Sequence, residues 1–319
     1  MMATGRRGIR RGPLRLRVVQ RDVTYLGATQ IRALADRLGV RPTKKWGQNF
    51  VVDANTVKRI VRLAEVGPRD VVVEVGPGLG SLTVGLLAVA AGVLAVEIDP
   101  VLAAALPDTM AAHAPDHAER LVILGADALR LNALPQAPTR LVANLPYNVS
   151  VPVVLHFLET FPTLEHVLVM VQLEVAERLA APPGSRTYGA PSAKAAWYGS
   201  VHLAGRVPRG IFWPVPNVDS GLVAITRHSN PETTASRAEV FSCIDAAFAQ
   251  RRKMLRSALS RLAGSAGAAD EVCIRAGVDP SSRGEQLAVA QFAALAEALA
   301  QVRDETPGDS PADSLDGGP

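Results

Sequence analysis

The chain has 319 residues, 48% hydrophobic and 20% charged, which gives it a packable core and excludes a disordered polymer. Its 34 Lys and Arg against 30 Asp and Glu leave +4, too mild an excess to name a partner; six arginines within residues 1–17 and five acids within 304–319 largely cancel, and each end reads as a solvated tail. Two cysteines, Cys243 and Cys273, exclude a disulfide framework, and the absence of a Cys-x-x-Cys pair removes that signature of zinc or redox chemistry.

The basic start carries no apolar stretch with a cleavage site, so it reads as no secretory signal. The most apolar run, Leu82 to Val96, is interrupted by Gly85 and Gly92 and soon meets Glu97 and Asp99, too early for a membrane span. A cytoplasmic protein without membrane contact is expected. The first helical stretch, Ile31 to Leu38, is closed by Gly39, and the body starts near Val40. From Asp53, a plausible cap, Val57, Ile60, Val61 and Ala64 recur at helical spacing until Gly67-Pro68. Val71 to Val75 reads as a buried strand that runs into Gly76-Pro77-Gly78-Leu79-Gly80, after which Ser81 can cap a helix over Leu82 to Ala91. Further strands follow at Val93 to Ile98, Leu121 to Leu124, Arg140 to Ala143 and His166 to Gln172, separated by a helix opened by Pro100 and another over Val153 to Leu158.

Strands alternating with helices predict an α/β fold with a mostly parallel sheet. Gly76, Glu97, Asp127 and Asn144 all fall at the C-terminal ends of strands, the edge at which open α/β sheets bind ligands. From Ala181 the pattern loosens into Pro- and Gly-rich loops, with a last strand at Leu222 to Thr226. Residues 229–237 read as a linker, and the Ala- and Leu-rich remainder as helices. The expected division is a basic extension over 1–39, flexible in part, an α/β domain over 40–228, a smaller all-helical RNA-binding domain over 229–303, and an acidic disordered tail over 304–319.

The loop Glu74-Val75-Gly76-Pro77-Gly78-Leu79-Gly80 follows a strand and precedes a helix, the context of a nucleotide-binding turn. As a dinucleotide fingerprint it lacks the third glycine, since position 81 is Ser81. Its alternating glycines behind an acid match the pattern associated with S-adenosylmethionine. Glu97, 21 positions after Gly76, can accept both hydroxyls of a ribose, and Asp127 can accept from an adenine amino group. Asn144-Leu145-Pro146-Tyr147 is of the type found in methyltransferases acting on exocyclic nitrogens. A side-chain oxygen and a backbone carbonyl take the two amino hydrogens, which turns the lone pair toward the donor, while the aromatic ring stacks on the base.

With Lys44-Lys45-Trp46-Gly47-Gln48-Asn49-Phe50, Val96-Glu97-Ile98-Asp99, Gly125-Ala126-Asp127-Ala128, the run from Phe212 to Ser220 and the run from Phe248 to Arg256, these motifs make the chain resemble the KsgA/RsmA family of ribosomal RNA adenine N6,N6-dimethyltransferases over roughly residues 40–302. The resemblance implies a Rossmann-like methyltransferase sheet with a helical C-terminal domain. It implies S-adenosylmethionine as methyl donor, S-adenosylhomocysteine as product and no metal. Asn49, Val51, Gly76, Glu97, Asp127 and Asn144 would hold the cofactor. Asn144, Leu145, Pro146 and Tyr147 would handle the target adenine, with Phe212 closing its other face. Two departures stand out: Val51 where the family usually has Leu, and Pro191 in place of an apolar residue.

The implied substrate is a pair of adjacent adenines in the 3′-terminal hairpin loop of 16S rRNA, in an assembling small subunit, with a monomeric enzyme. Lys44 and Lys45, with Arg41, Lys58, Arg59 and Arg62 nearby, and Arg251, Arg252, Lys253 and Arg256 at mostly helical spacing, are the expected RNA contacts. Two alternatives stay open. One is the Erm group, which methylates an adenine of 23S rRNA and confers macrolide resistance. The other is a non-catalytic RNA-binding assembly or transcription factor on the same fold.

Overall fold

The computed structural model describes residues 23–41 and 49–305. The basic residues 1–22, Lys44 and Lys45, and the acidic residues 306–319 lie outside the described residues.

Helix α1 (Ala28–Leu38) ends at Gly39, whose φ of 63° is the left-handed C-cap that glycine adopts without strain. A two-residue strand β1 (Phe50–Val51) leads into α2 (Ala54–Leu63), where Asp53 accepts the Thr56 amide at 2.6 Å and caps the helix as its side-chain chemistry predicts. The β-branched run becomes β2 (Val71–Val75), followed by α3 (Ser81–Leu87), β3 (Gly92–Glu97), α4 (Pro100–His113), β4 (Leu121–Gly125) and β5 (Arg140–Asn144). Then come α5 (Ser150–Thr160), β6 (His166–Gln172), α6 (Leu173–Leu179), α7 (Ala190–Tyr198), β7 (Gly199–Val207), the short β8 (Phe212–Trp213) and β9 (Ser220–Arg227).

Seven strands form one sheet in the order β4-β3-β2-β5-β6-β9-β7. The pairings from β4 through β6 are parallel, and β9 enters antiparallel between β6 and β7. The mostly parallel sheet expected from the sequence is therefore present, with an antiparallel edge. β7 was not among the expected strands: Val201, Leu203 and Val207 alternate with Ser200, His202 and Arg206, but Ala204 and Gly205, where the register shifts opposite β9, interrupt the pattern. Strand order reverses between β2 and β5, so the crevice above their C-terminal ends is the topological switch point of the sheet.

Two apolar layers cover the sheet. On one side, Ile31, Leu34 and Ala35 of α1, together with Leu26, pack with α2, α3 and α4. The helix expected to lie within the basic extension is thus anchored in the core. On the other side, α5 and α7 share a contiguous apolar cluster with α8 (Arg237–Ala249), α9 (Leu255–Ala258), α10 (Ser260–Ala263), α11 (Ala266–Arg275) and α12 (Val289–Glu305). The C-terminal helices form as expected, but their core is continuous with that side of the sheet. Among the described residues, no helix is long and apolar enough to cross a membrane.

Candidate active site

At the C-terminal edge of the sheet lies a cavity of about 290 Å³. Asn49, Val51, Gly76, Glu97, Asp127 and Asn144, the six positions expected to hold a cofactor, all line it. They converge from four strand ends and from β1, although no two of these segments are adjacent along the chain.

The glycine loop forms the floor. Gly76, Gly78 and Gly80 have φ of 69°, 59° and 88°, conformations that L side chains adopt only under strain. Space enforces the same choice: a Cβ on Gly78 would stand 2.9 Å from the Phe50 ring, and one on Gly80 2.6 Å from Met110 Cε. Ser81 does not cap α3, whose N-cap is Gly80 without a side-chain bond. Its buried hydroxyl instead donates to the Val51 carbonyl at 2.6 Å and ties β1 to the loop. β1 is held from its other side by antiparallel pairing with β8, Val51 opposite Phe212 and Phe50 opposite Trp213.

Glu97 spends one lone pair of each oxygen on backbone amides, Oε2 accepting from Gly78 and Oε1 from Asp99, both at 3.0 Å. Each carboxylate oxygen keeps a second lone pair for a ligand hydroxyl. Burial raises the Glu97 carboxyl above its ordinary range, and those amide bonds pull it back down. Asp127 is more open, with Oδ1 accepting the Leu129 amide at 3.0 Å and Oδ2 3.6 Å from Arg130.

The tetrapeptide turns directly out of β5. Asn144 donates from Nδ2 to the Asn49 carbonyl at 2.9 Å, which fixes the amide and points its chemistry: Oδ1 is the acceptor end. The Leu145 amide donates to the Met170 carbonyl at 3.0 Å, and its side chain is buried. Pro146 lines the cavity. Tyr147 is half-buried, and its hydroxyl meets Ser220 Oγ at 3.0 Å, which anchors the ring by its far end. Phe212 is not brought to the cavity; at 2% exposure it is enclosed in the core layer beneath β1.

Three contributors carry no role in the expectations drawn from the sequence. Glu74 opens the glycine motif and proves to be a buried wall of the cavity. Ile98 and Leu129 line it while remaining 48% and 37% exposed, and form an apolar rim suited to a flat ring. The signal for both was an apolar residue beside a strand-end carboxylate.

Of the basic residues of the C-terminal part, Arg251, Arg252 and Lys253 lie in a turn rather than at the helical spacing expected, and Arg256 is on α9. Residues 250–254 form the turn between α8 and α9, closed by the Lys253 amide on the Gln250 carbonyl at 2.8 Å. Arg252, Lys253 and Arg256 are exposed, while Arg251 pairs with Glu285 at 2.9 Å and donates to the Arg186 carbonyl at 2.6 Å. Of the basic residues near α2, Arg41, Lys58 and Arg62 are exposed, and Arg59 donates to the Arg206 carbonyl at 3.0 Å.

A model of the family described as ribosomal RNA adenine dimethylase matches residues 40–301. The protein named ribosomal RNA small subunit methyltransferase A in Thermobifida fusca (strain YX) is 64% identical over 277 residues, which covers 86% of this chain and 96% of that one. Its namesake in Streptomyces coelicolor is 63% identical over 274 residues, covering 85% and 96%. Among solved structures, the 23S rRNA methyltransferase ErmE superposes with a TM-score of 0.58 at 27% identity, over 79% of this chain and 100% of that one. A dimethyladenosine transferase from Plasmodium falciparum shares the fold, with a TM-score of 0.66 at 22% identity over 77% and 95%. The chain belongs to the ribosomal RNA adenine dimethylase family.

Proposed function

We propose that this methyltransferase dimethylates N6 of two adjacent adenines in the 3′-terminal hairpin loop of 16S rRNA, acting on the assembling small subunit in the cytoplasm with S-adenosylmethionine as donor. The observation that carries the reading is the charge of the cavity. Among the described residues its lining holds four carboxyl groups, Glu74, Glu97, Asp99 and Asp127, and no Lys, Arg or His. A dinucleotide would bring its pyrophosphate against those acids. A ligand with a sulfonium and an ammonium group suits them, and the glycine turn gives it backbone at close approach. When bound, that cofactor supplies an electrophilic methyl group.

The chain supplies position. Glu97 takes the ribose hydroxyls, Asp127 the cofactor's adenine amino group, Ile98 and Leu129 the faces of that ring, and Asn49, Val51 and Gly76 the remaining backbone contacts. Asn144 Oδ1 and the Leu145 carbonyl accept the two hydrogens of the target amine, so its lone pair faces the donor. Tyr147 stacks on the target base, and Pro146 shapes the turn that presents these groups. Once alkylated, the amine loses its proton to water, so no side-chain base is required; catalysis rests on orientation and exclusion of water. Phe212 serves by holding Val51 through the β1–β8 pairing. The target adenine must be splayed out of a loop to reach the cavity. Lys44, Lys45, Arg252, Lys253 and Arg256 bind phosphates there, with a smaller share from the paired Arg251.

The test is transfer of labelled methyl from S-adenosylmethionine to small and large ribosomal subunits lacking their adenine dimethylations. Label in small-subunit RNA supports the proposal. Label confined to 23S rRNA replaces it with the reading that the likeness to ErmE favours, and label in neither leaves a non-catalytic RNA-binding role.

A further inference from the structure

Of the two cavity carboxyl groups that the function above does not use, Asp99 caps α4 by accepting the Val101 amide, and Glu74 has no such structural task. Glu74 is 1% exposed, on the middle strand of the parallel region, and its Oε2 has no hydrogen-bond partner among the described residues. The groups facing it are few. Glu97 approaches from β3 and Thr83 from α3, and Asp99 and Asp127 line the same cavity. β5 contributes Leu141 to Asn144 beside it. The cation of that strand, Arg140, stands at the opposite end with Asp70 at 3.6 Å and Glu165 at 2.8 Å. A buried carboxyl with an orphaned oxygen, a carboxylate neighbour and no cation in the cavity lining can stay neutral only by holding its proton.

We propose that Glu74 is a charge sensor for the methyl donor: it holds a proton in the free enzyme, loses it to solvent when the cationic donor binds, and regains it when the sulfur becomes neutral in the product. The inference rests on the proposed use of S-adenosylmethionine. Burial pushes the Glu74 carboxyl up to about 8, against a smaller opposing effect of Thr83 and with a still smaller push from the Glu97 charge, so the proton is held at neutral pH. A sulfonium in the cavity supplies the missing counter-charge and favours the carboxylate. The thioether product carries no charge on sulfur and leaves the carboxyl neutral. The residue thereby favours the donor over the spent product and aids exchange between the two methylations of each adenine.

The experiment is isothermal titration of the full chain with S-adenosylmethionine and with S-adenosylhomocysteine at pH 7, in two buffers of different ionisation enthalpy, for wild type and Glu74→Gln. The difference between wild type and variant cancels the titration of the ligand's own amino group. The expected result is close to one proton released per donor bound in wild type relative to the variant, and none for the product. Donor affinity, normalised to the variant, should tighten about tenfold from pH 7 to pH 9. Infrared difference spectra of wild type alone give a second reading, independent of the variant's folding: a protonated-carboxyl band should vanish with donor and persist with product. Donor binding with no proton released, or equal release with both ligands, overturns the sensor and leaves the methyltransferase reading intact. Failure of the donor to bind at all overturns both.

Discussion

Asn144 gives its Nδ2 hydrogen to the carbonyl of Asn49, 95 residues earlier, at 2.9 Å. That bond joins the end of β5, to which the proposal assigns the target amine's acceptors, to the segment that lines the cavity. It also leaves Oδ1 as the end of the Asn144 amide that the proposal turns toward the target. Asn144→Ala removes both the acceptor and the tether, and its kcat is expected to fall by about 10²–10³, the loss typical of one oriented hydrogen-bonding group. Asn144→Asp sets a charged oxygen against the Asn49 carbonyl and should weaken donor binding as well. Single-turnover methylation beside donor affinity separates the two effects.

Gly78 and Phe50 are in contact across the floor of the cavity. Gly78→Ala places a Cβ 2.9 Å from the Phe50 ring at a φ of 59°. The strained backbone costs about 1–3 kcal/mol, and the ring must also move. Thermal unfolding should show that loss, and calorimetry a weaker donor complex. Adding Phe50→Ala should recover the part due to the clash and leave the backbone part.

The buried Glu74 carboxyl makes stability depend on pH in a defined direction. Its folded value, raised from an ordinary 4.5 to about 8, means that the native state holds a proton the unfolded chain has released throughout that window. Stability therefore falls as pH rises from about 4.5 to about 8, and levels off above it. Glu74→Gln removes this component, so the melting temperature of the ligand-free variant should decline less than that of wild type between pH 5 and pH 8.

The turn between α8 and α9 separates two kinds of arginine. Replacing Arg252, Lys253 or Arg256 by Ala should flatten the slope of log affinity against log salt by about 0.7–0.9 for each phosphate left without its cation. Arg251→Ala should change that slope less and cost up to about 1 kcal/mol of stability, because its guanidinium already pairs with Glu285 on the surface. Filter binding to a 3′-terminal hairpin RNA over a salt series, with melting curves, distinguishes them.

The parallel half of the fold was legible because its strands are short apolar runs ending in polar residues with work to do. Glu97 and Asn144 end β3 and β5 as their positions implied, and the strand from His166 to Gln172 has the expected bounds. β7 was missed because its alternation of Val201, Leu203 and Val207 is short and is interrupted by Ala204 and Gly205 at the register shift. The site's residue types were readable from motif spacing, but its wiring was not. Nothing in the sequence says that Ser81 bonds Val51 or that Asn144 bonds Asn49, because both pairs meet through tertiary packing. Phe212 shows the same limit: its motif says nothing of its burial, which comes from packing in the core layer beneath β1.

The proposed reaction is tested most sharply by nucleoside analysis of small-subunit RNA after exhaustive methylation of particles lacking their adenine dimethylations, with wild type and Asn144→Ala in parallel. The expected product is N6,N6-dimethyladenosine, two residues per particle and adjacent in the 3′-terminal hairpin, with none from the variant on the same timescale. Monomethyladenosine as the end product, or dimethyladenosine formed at full rate by Asn144→Ala, would contradict it.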